Sequence, residues 1–88
     1  MDKSELQELN ARADTAAGAE GAGASVQVFD LLPAEVQPSG VRVVLSVFRL
    51  VNGELREDSK NYRPGRADLG LLIERDAREM AIRLLSAN

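Results

Sequence analysis

Eighty-eight residues carrying a net charge of −3 are enough for one small domain and too few to bury a large core. The chain has no cysteine and no histidine, which excludes disulfide staples, the common zinc and haem ligand sets and the usual general base at neutral pH. Only Phe29, Phe48 and Tyr62 are aromatic, so the core has to be aliphatic, and oligomerisation is the remaining route to burying more apolar area.

The chain opens Asp2-Lys3-Ser4-Glu5, without the basic-then-apolar order of a secretory leader. No apolar run approaches the ~20 residues that span a bilayer. A cytoplasmic protein with no membrane contact is expected. Ser4 followed by Gln7 fits a capping box and predicts a short helix from about Glu5. Its apolar stripe of Leu6, Leu9 and alanines is too narrow to hold a helix in water alone. Ala16 to Ser25 is nearly all alanine and glycine and reads as a flexible linker. The expected division is therefore a flexible arm over 1–24 and a small domain over 25–88. Gly18, Gly21 and Gly23 precede a strand and lead to no Gly-Lys-Ser/Thr, the reverse of a phosphate-binding loop.

Ser25 to Leu32 alternates as a short strand, stopped by Pro33. Pro38-Ser39-Gly40 supplies a turn before the longest apolar run, Val41 to Val51. There Val41, Val43, Leu45 and Val47 point one way, and Arg42, Val44, Ser46, Phe48 and Leu50 the other. With apolar residues on both sides, this predicts a central strand. Asn52-Gly53 suits a type I′ turn, which needs positive φ at both central residues. The returning arm, Glu54 to Tyr62, is mostly polar, as suits an exposed edge strand. Pro64-Gly65 has the order of a type II turn. Leu69, Leu71 and Ile73 alternate like a fourth strand, although Asp68 could instead cap a helix there. From Arg75 a helix is expected, with Ala77, Met80, Ala81, Leu84 and Leu85 on one face for a core or a dimer, and with Glu74–Arg78 and Glu79–Arg83 in the favourable i,i+4 order. The predicted fold is α+β: an antiparallel sheet of three or four strands with a C-terminal helix on one face, plus the arm.

Charge divides along the chain. Residues 1–40 hold two basic against seven acidic groups, a net −5, whereas residues 41–88 hold nine against seven, a net +2. The close acidic sets, Glu57-Asp58 and Glu74 with Asp76, have arginines or opposite strand faces beside them and read as solvated rather than as an acid and base pair. The serines have no histidine to activate them. A non-enzymatic protein without metal or cofactor is expected. The best candidate site is Arg56, Lys60, Arg63 and Arg66 with Tyr62 among them, because cations along a phosphate track beside an aromatic platform suit single-stranded nucleic acid.

Asn52-Gly53-Glu54-Leu55, Arg63-Pro64-Gly65-Arg66, Leu69-Gly70-Leu71-Leu72-Ile73 and the terminal helix together resemble the transcriptional positive-cofactor-four family of single-stranded DNA binders over residues 26–86. The resemblance implies four antiparallel strands, a C-terminal helix used for dimerisation, and phosphate contacts from Arg42, Lys60, Arg63 and Arg66. The acidic insert from Arg56 to Tyr62 departs from that family. The competing expectation is a homodimeric protein-binding regulator or inhibitor of a larger complex, whose parts are a small aliphatic core, an edge ribbon and a tethered amphipathic helix.

Overall fold

The computed structural model describes residues 2–30 and 41–86. The strand stop expected at Pro33 and the turn expected at Pro38-Ser39-Gly40 lie outside the described residues. The elements are α1 (Lys3–Gly18), β1 (Gly23–Asp30), β2 (Val41–Val51), β3 (Glu54–Tyr62) and α2 (Leu69–Ser86).

The first helix begins earlier and ends later than its sequence suggests. Asp2 is the N-cap, its carboxylate accepting from the Glu5 N–H at 2.8 Å, so the Ser4 box is not the one used. Leu6, Leu9, Ala13, Ala16 and Ala17 recur at spacings of three and four and form a single stripe. All but the half-buried Leu6 are buried. The linker expected over Ala16 to Ser25 is thus corrected. Its first residues complete α1, and its last ones begin β1. Between them Ala22 donates to the Ala17 carbonyl at 3.0 Å, and Gly21 takes a positive φ of 80° that reverses the chain. The small alanines are what let α1 approach β1 and α2 closely, so the segment assigned to a tethered arm is part of the packed core.

The sheet is antiparallel in the order β1-β2-β3, with Val26 opposite Leu45 and Leu45 opposite Lys60. Asn52 (φ 52°) and Gly53 (φ 80°) make the expected tight turn between β2 and β3. Both helices lie on one face, α1 over β1 and α2 over β2 and part of β3, packed also against each other. Val43, Leu45, Val47, Ile73 and Met80 are wholly buried between the layers. Asn10 ties α1 to the sheet edge, its side-chain oxygen accepting from the Val26 N–H at 2.7 Å.

Leu69–Ile73 is the first part of α2 and not a fourth strand, so the described residues hold three strands. The reason lies in the stripe. Leu69 and Ile73 continue the buried line of Ala77, Met80, Ala81 and Leu84, while Leu71, which the alternating pattern counted as inward, is exposed. Of the predicted helix face, Ala77, Met80, Ala81 and Leu84 are in the core and Leu85 is outside it. The i,i+4 partner expected for Glu74 is replaced by Arg12 of α1, at 3.4 Å.

Arg49 and Arg56 stand directly opposite each other on the helix-covered face, a like-charge pairing that a sheet would normally resist. Their surroundings resolve it. Arg49 donates to the Glu20 carbonyl and, at 3.4 Å, to that of Ala81, and Arg56 donates to the Leu84 carbonyl at 3.2 Å. Ala81 and Leu84 lie in the last two turns of α2, where the helix dipole favours cations. No helix among the described residues is long and apolar enough to cross a membrane.

Candidate functional site

The end of β3, the Pro64-Gly65 turn and the first half of α2 enclose a groove of about 380 Å³ lined by Lys60, Asn61, Tyr62, Arg63, Arg66, Leu72, Arg75 and Asp76. Gly65, at φ 88°, has the left-handed backbone that this turn requires. At the floor of the groove sits Asp76, only 3% exposed. One carboxylate oxygen accepts from the Tyr62 hydroxyl at 2.6 Å and from the Lys60 ammonium at 3.0 Å, and the other from two nitrogens of Arg75 at 3.0 and 3.1 Å.

This arrangement sets the protonation states. Burial by itself would raise the Asp76 carboxyl, but the hydrogen bonds from Tyr62, Lys60 and Arg75 outweigh it and hold the group below the ordinary carboxylate range. Tyr62 moves the other way. Burial, reinforced by its bond to the Asp76 carboxylate, pushes the phenol well above its usual value. Arg75 is held more firmly protonated by its bond to Asp76. The groove is therefore a neutralised joint between β3 and α2, with cations at its rim.

The predicted nucleic-acid residues divide among three places. Lys60, Arg63 and Arg66 do gather at the groove, although Arg66 is held by both oxygens of Asp68 at 3.1 Å. Arg56 lies farther along β3, bonded to the end of α2. Arg42 is on the opposite face of the sheet, across from Phe29. Tyr62 is the clearest correction, because at 8% exposure, with its hydroxyl bonded to Asp76, it presents no open ring face for a base to stack on. Lys60 instead lies 5.7 Å from the centre of that ring. Arg75 and Asp76 were missed as members of this group. A signal for Asp76 was present, since it falls three residues after Ile73 and four before Met80, on the apolar stripe of α2, where a carboxylate has to find partners.

The other face of the sheet carries no layer among the described residues. Alternation places Phe29, Arg42, Val44, Ser46, Phe48, Leu50, Leu55 and Glu57 on it. Leu50 and Leu55, directly opposite each other beside the turn, are 72% and 64% exposed, and Phe29 and Phe48 are exposed as well. Phe48 lies across Gly23, where an added Cβ would come within 2.3 Å of its ring. Glycine here is what allows the aromatic side chain to lie flat over β1. Among the described residues the outer edge of β3 is also unpaired, and seven of its nine residues are exposed.

No protein-family model matches this chain, and no curated protein or solved structure matches it significantly.

Proposed function

We propose that this protein is a non-catalytic, dimeric regulator or inhibitor that docks on a larger protein complex through the open face of its sheet. The carrying observation is the apolar patch of Phe48, Leu50 and Leu55, contiguous across the β2–β3 turn on a face that neither helix covers. Isolated exposed apolar residues are ordinary, whereas a contiguous patch on a small monomer marks a contact surface. Replacing Leu50 and Leu55 by serine together is expected to abolish capture of the partner from a cell extract while circular dichroism stays unchanged. Capture that persists in this variant would overturn the assignment of the patch.

The second reading, single-stranded nucleic acid at the groove, draws on the gathering of Lys60, Arg63, Arg66 and Arg75 at one rim. Against it stand the buried Tyr62 and the carboxylates that already engage Lys60, Arg66 and Arg75. A fluorescent oligonucleotide titrated at low salt decides between the two. A shift lost on Arg63→Glu/Arg66→Glu, and weakening steeply with salt, would favour the groove, and no shift at low salt would eliminate it.

A further inference from the structure

The outer edge of β3 has a charge order that fits a reversed copy of itself. On its helix-covered side the strand presents Glu54, Arg56, Asp58 and Lys60, alternating in sign, and all but the half-buried Arg56 are exposed. Edge strands are commonly protected by charges that repel an identical neighbour, which requires one sign to dominate. An alternating row repels only in some registers. Two antiparallel copies must pair residues on the same face, so the symmetry axis passes through a residue, and each choice of residue can be checked. Centring on Arg56 sets Arg56 against itself and Glu54 against Asp58. Centring on Asp58 sets Asp58 against itself and Arg56 against Lys60. Centring on Glu57 sets Glu54 against Lys60 and Arg56 against Asp58, so every charge on that side meets its opposite, and the single like-charge pair, Glu57 against itself, falls on the open face at a more widely spaced hydrogen-bonded position.

The backbone agrees with this register. The two-residue turn closes on the Val51 and Glu54 pair, so Glu54, Arg56, Asp58 and Lys60 bond to β2, while the N–H and C=O groups of Leu55, Glu57 and Ser59 point outward. Among the described residues the Ser59 N–H has no strand partner, and its donor is covered by the carboxylate of its own neighbour Asp58 at 2.8 Å. About Glu57, the outward groups of Leu55 and Ser59 bond across to the other copy, and the charged pairs fall at the positions where facing side chains are closest.

We propose that two copies of this chain join through antiparallel pairing of their β3 edges centred on Glu57, forming one six-stranded sheet with three strands from each copy. Ser59 N–H exchanges the Asp58 carboxylate for the other copy's Leu55 carbonyl, which frees Asp58 for the other copy's Arg56. Arg56 has donors beyond the one on Leu84, and Lys60 has donors beyond the one on Asp76, so neither contact within the chain is lost. This surface rests on the dimeric part of the function proposed above and is separate from the open-face patch.

A charge exchange tests it. Asp58→Lys alone and Arg56→Glu alone each set like charges together twice per dimer, and each is expected to weaken self-association about tenfold or more in sedimentation equilibrium. An equimolar mixture of the two restores opposite charges at both contacts between positions 56 and 58 and is expected to form the heterodimer with near wild-type affinity. The absence of native cysteine supplies a second measurement that does not depend on those variants folding. Glu57→Cys places two sulfurs on the axis, with Cα atoms about 5.5 Å apart, within disulfide range, and is expected to cross-link to a dimer under mild oxidation, whereas Asn61→Cys is not. A wild-type dimer unaffected by both charge variants, with no preferential cross-linking at 57, would overturn the β3 interface and leave dimerisation standing. A wild-type chain that stays monomeric at several hundred micromolar would remove both.

Discussion

Alternate residues of β2 meet opposite fates. Val43, Leu45 and Val47 face the helix layer and are wholly buried, whereas Phe48 and Leu50, one residue out of phase on the same strand, lie on the side that neither helix covers and are exposed. Chemical character does not separate the two sets, since both are apolar. What separates them is how much layer a chain of this length can supply. Among the described residues two helices cover one side of three strands and none covers the other, so the hydrophobicity of the second side is not used by either helix. A face that is apolar without being covered is an interaction surface or an aggregation hazard, and β3, which borders it, carries charges instead.

The sharpest break of this comparison is Leu45→Ala. It removes a wholly buried side chain between the sheet and the helices and is expected to cost about 2–5 kcal/mol in urea unfolding, a large share of the stability of a domain this small. Next in size is Asp76→Ala, which leaves the buried Tyr62 hydroxyl without its acceptor and separates β3 from α2. About 1–3 kcal/mol is expected, with Asp76→Asn milder because it still accepts that bond. The same residue predicts an acid dependence. The folded carboxyl is held below its unfolded value, so its contribution is present above about pH 4 and is lost as pH falls through the folded value. Asp76→Asn should flatten this acid limb.

Tyr62 predicts the alkaline side. Its folded phenol titrates above the unfolded one, so the associated stability is complete below about pH 10 and declines as pH rises toward the folded value. Tyr62 is the sole tyrosine, so phenolate absorbance should rise together with loss of helical circular dichroism and not before it. Absorbance that rises while the fold persists would contradict the burial. The smallest effect on stability belongs to the open face. Leu50→Ser and Leu55→Ser are each expected within about 0.5 kcal/mol of wild type, although they remove the contact patch. A loss comparable to that of Leu45→Ala would mean that this face is covered within the monomer.

Local chemistry made a good part of this fold legible. Asn52-Gly53 needed no tertiary partner to declare the β2–β3 turn, because few other pairs accept positive φ twice at low cost. The polar row from Glu54 announced an edge, and the stripe through Ala77, Met80 and Leu84 announced a helix face. Where the reading failed, small or ambiguous residues were involved. Ala16 and Ala17 looked like linker because alanine adds little apolar area, yet in contact with α2 and β1 their small size is what makes close packing possible. Leu69 and Ile73 fit a period of two and a period of nearly four equally well over so short a run, and the continuous core stripe decided for the helix. Among the site residues, the clustering of Lys60, Arg63 and Arg66 followed from their nearness in sequence. The inward rotation of Tyr62 did not, since it depends on Asp76, fourteen residues away on another element.

Element type, the tight turn, the central position of β2 and the exposed edge of β3 were set by residue chemistry acting over a few neighbours. The coverage of one sheet face and not the other, the recruitment of an alanine-rich helix into the core, and the conversion of Tyr62 from a candidate stacking platform into a buried donor came from contacts between segments far apart in the chain. Such contacts depend on which surfaces arrive together in space, and period and propensity carry no record of that.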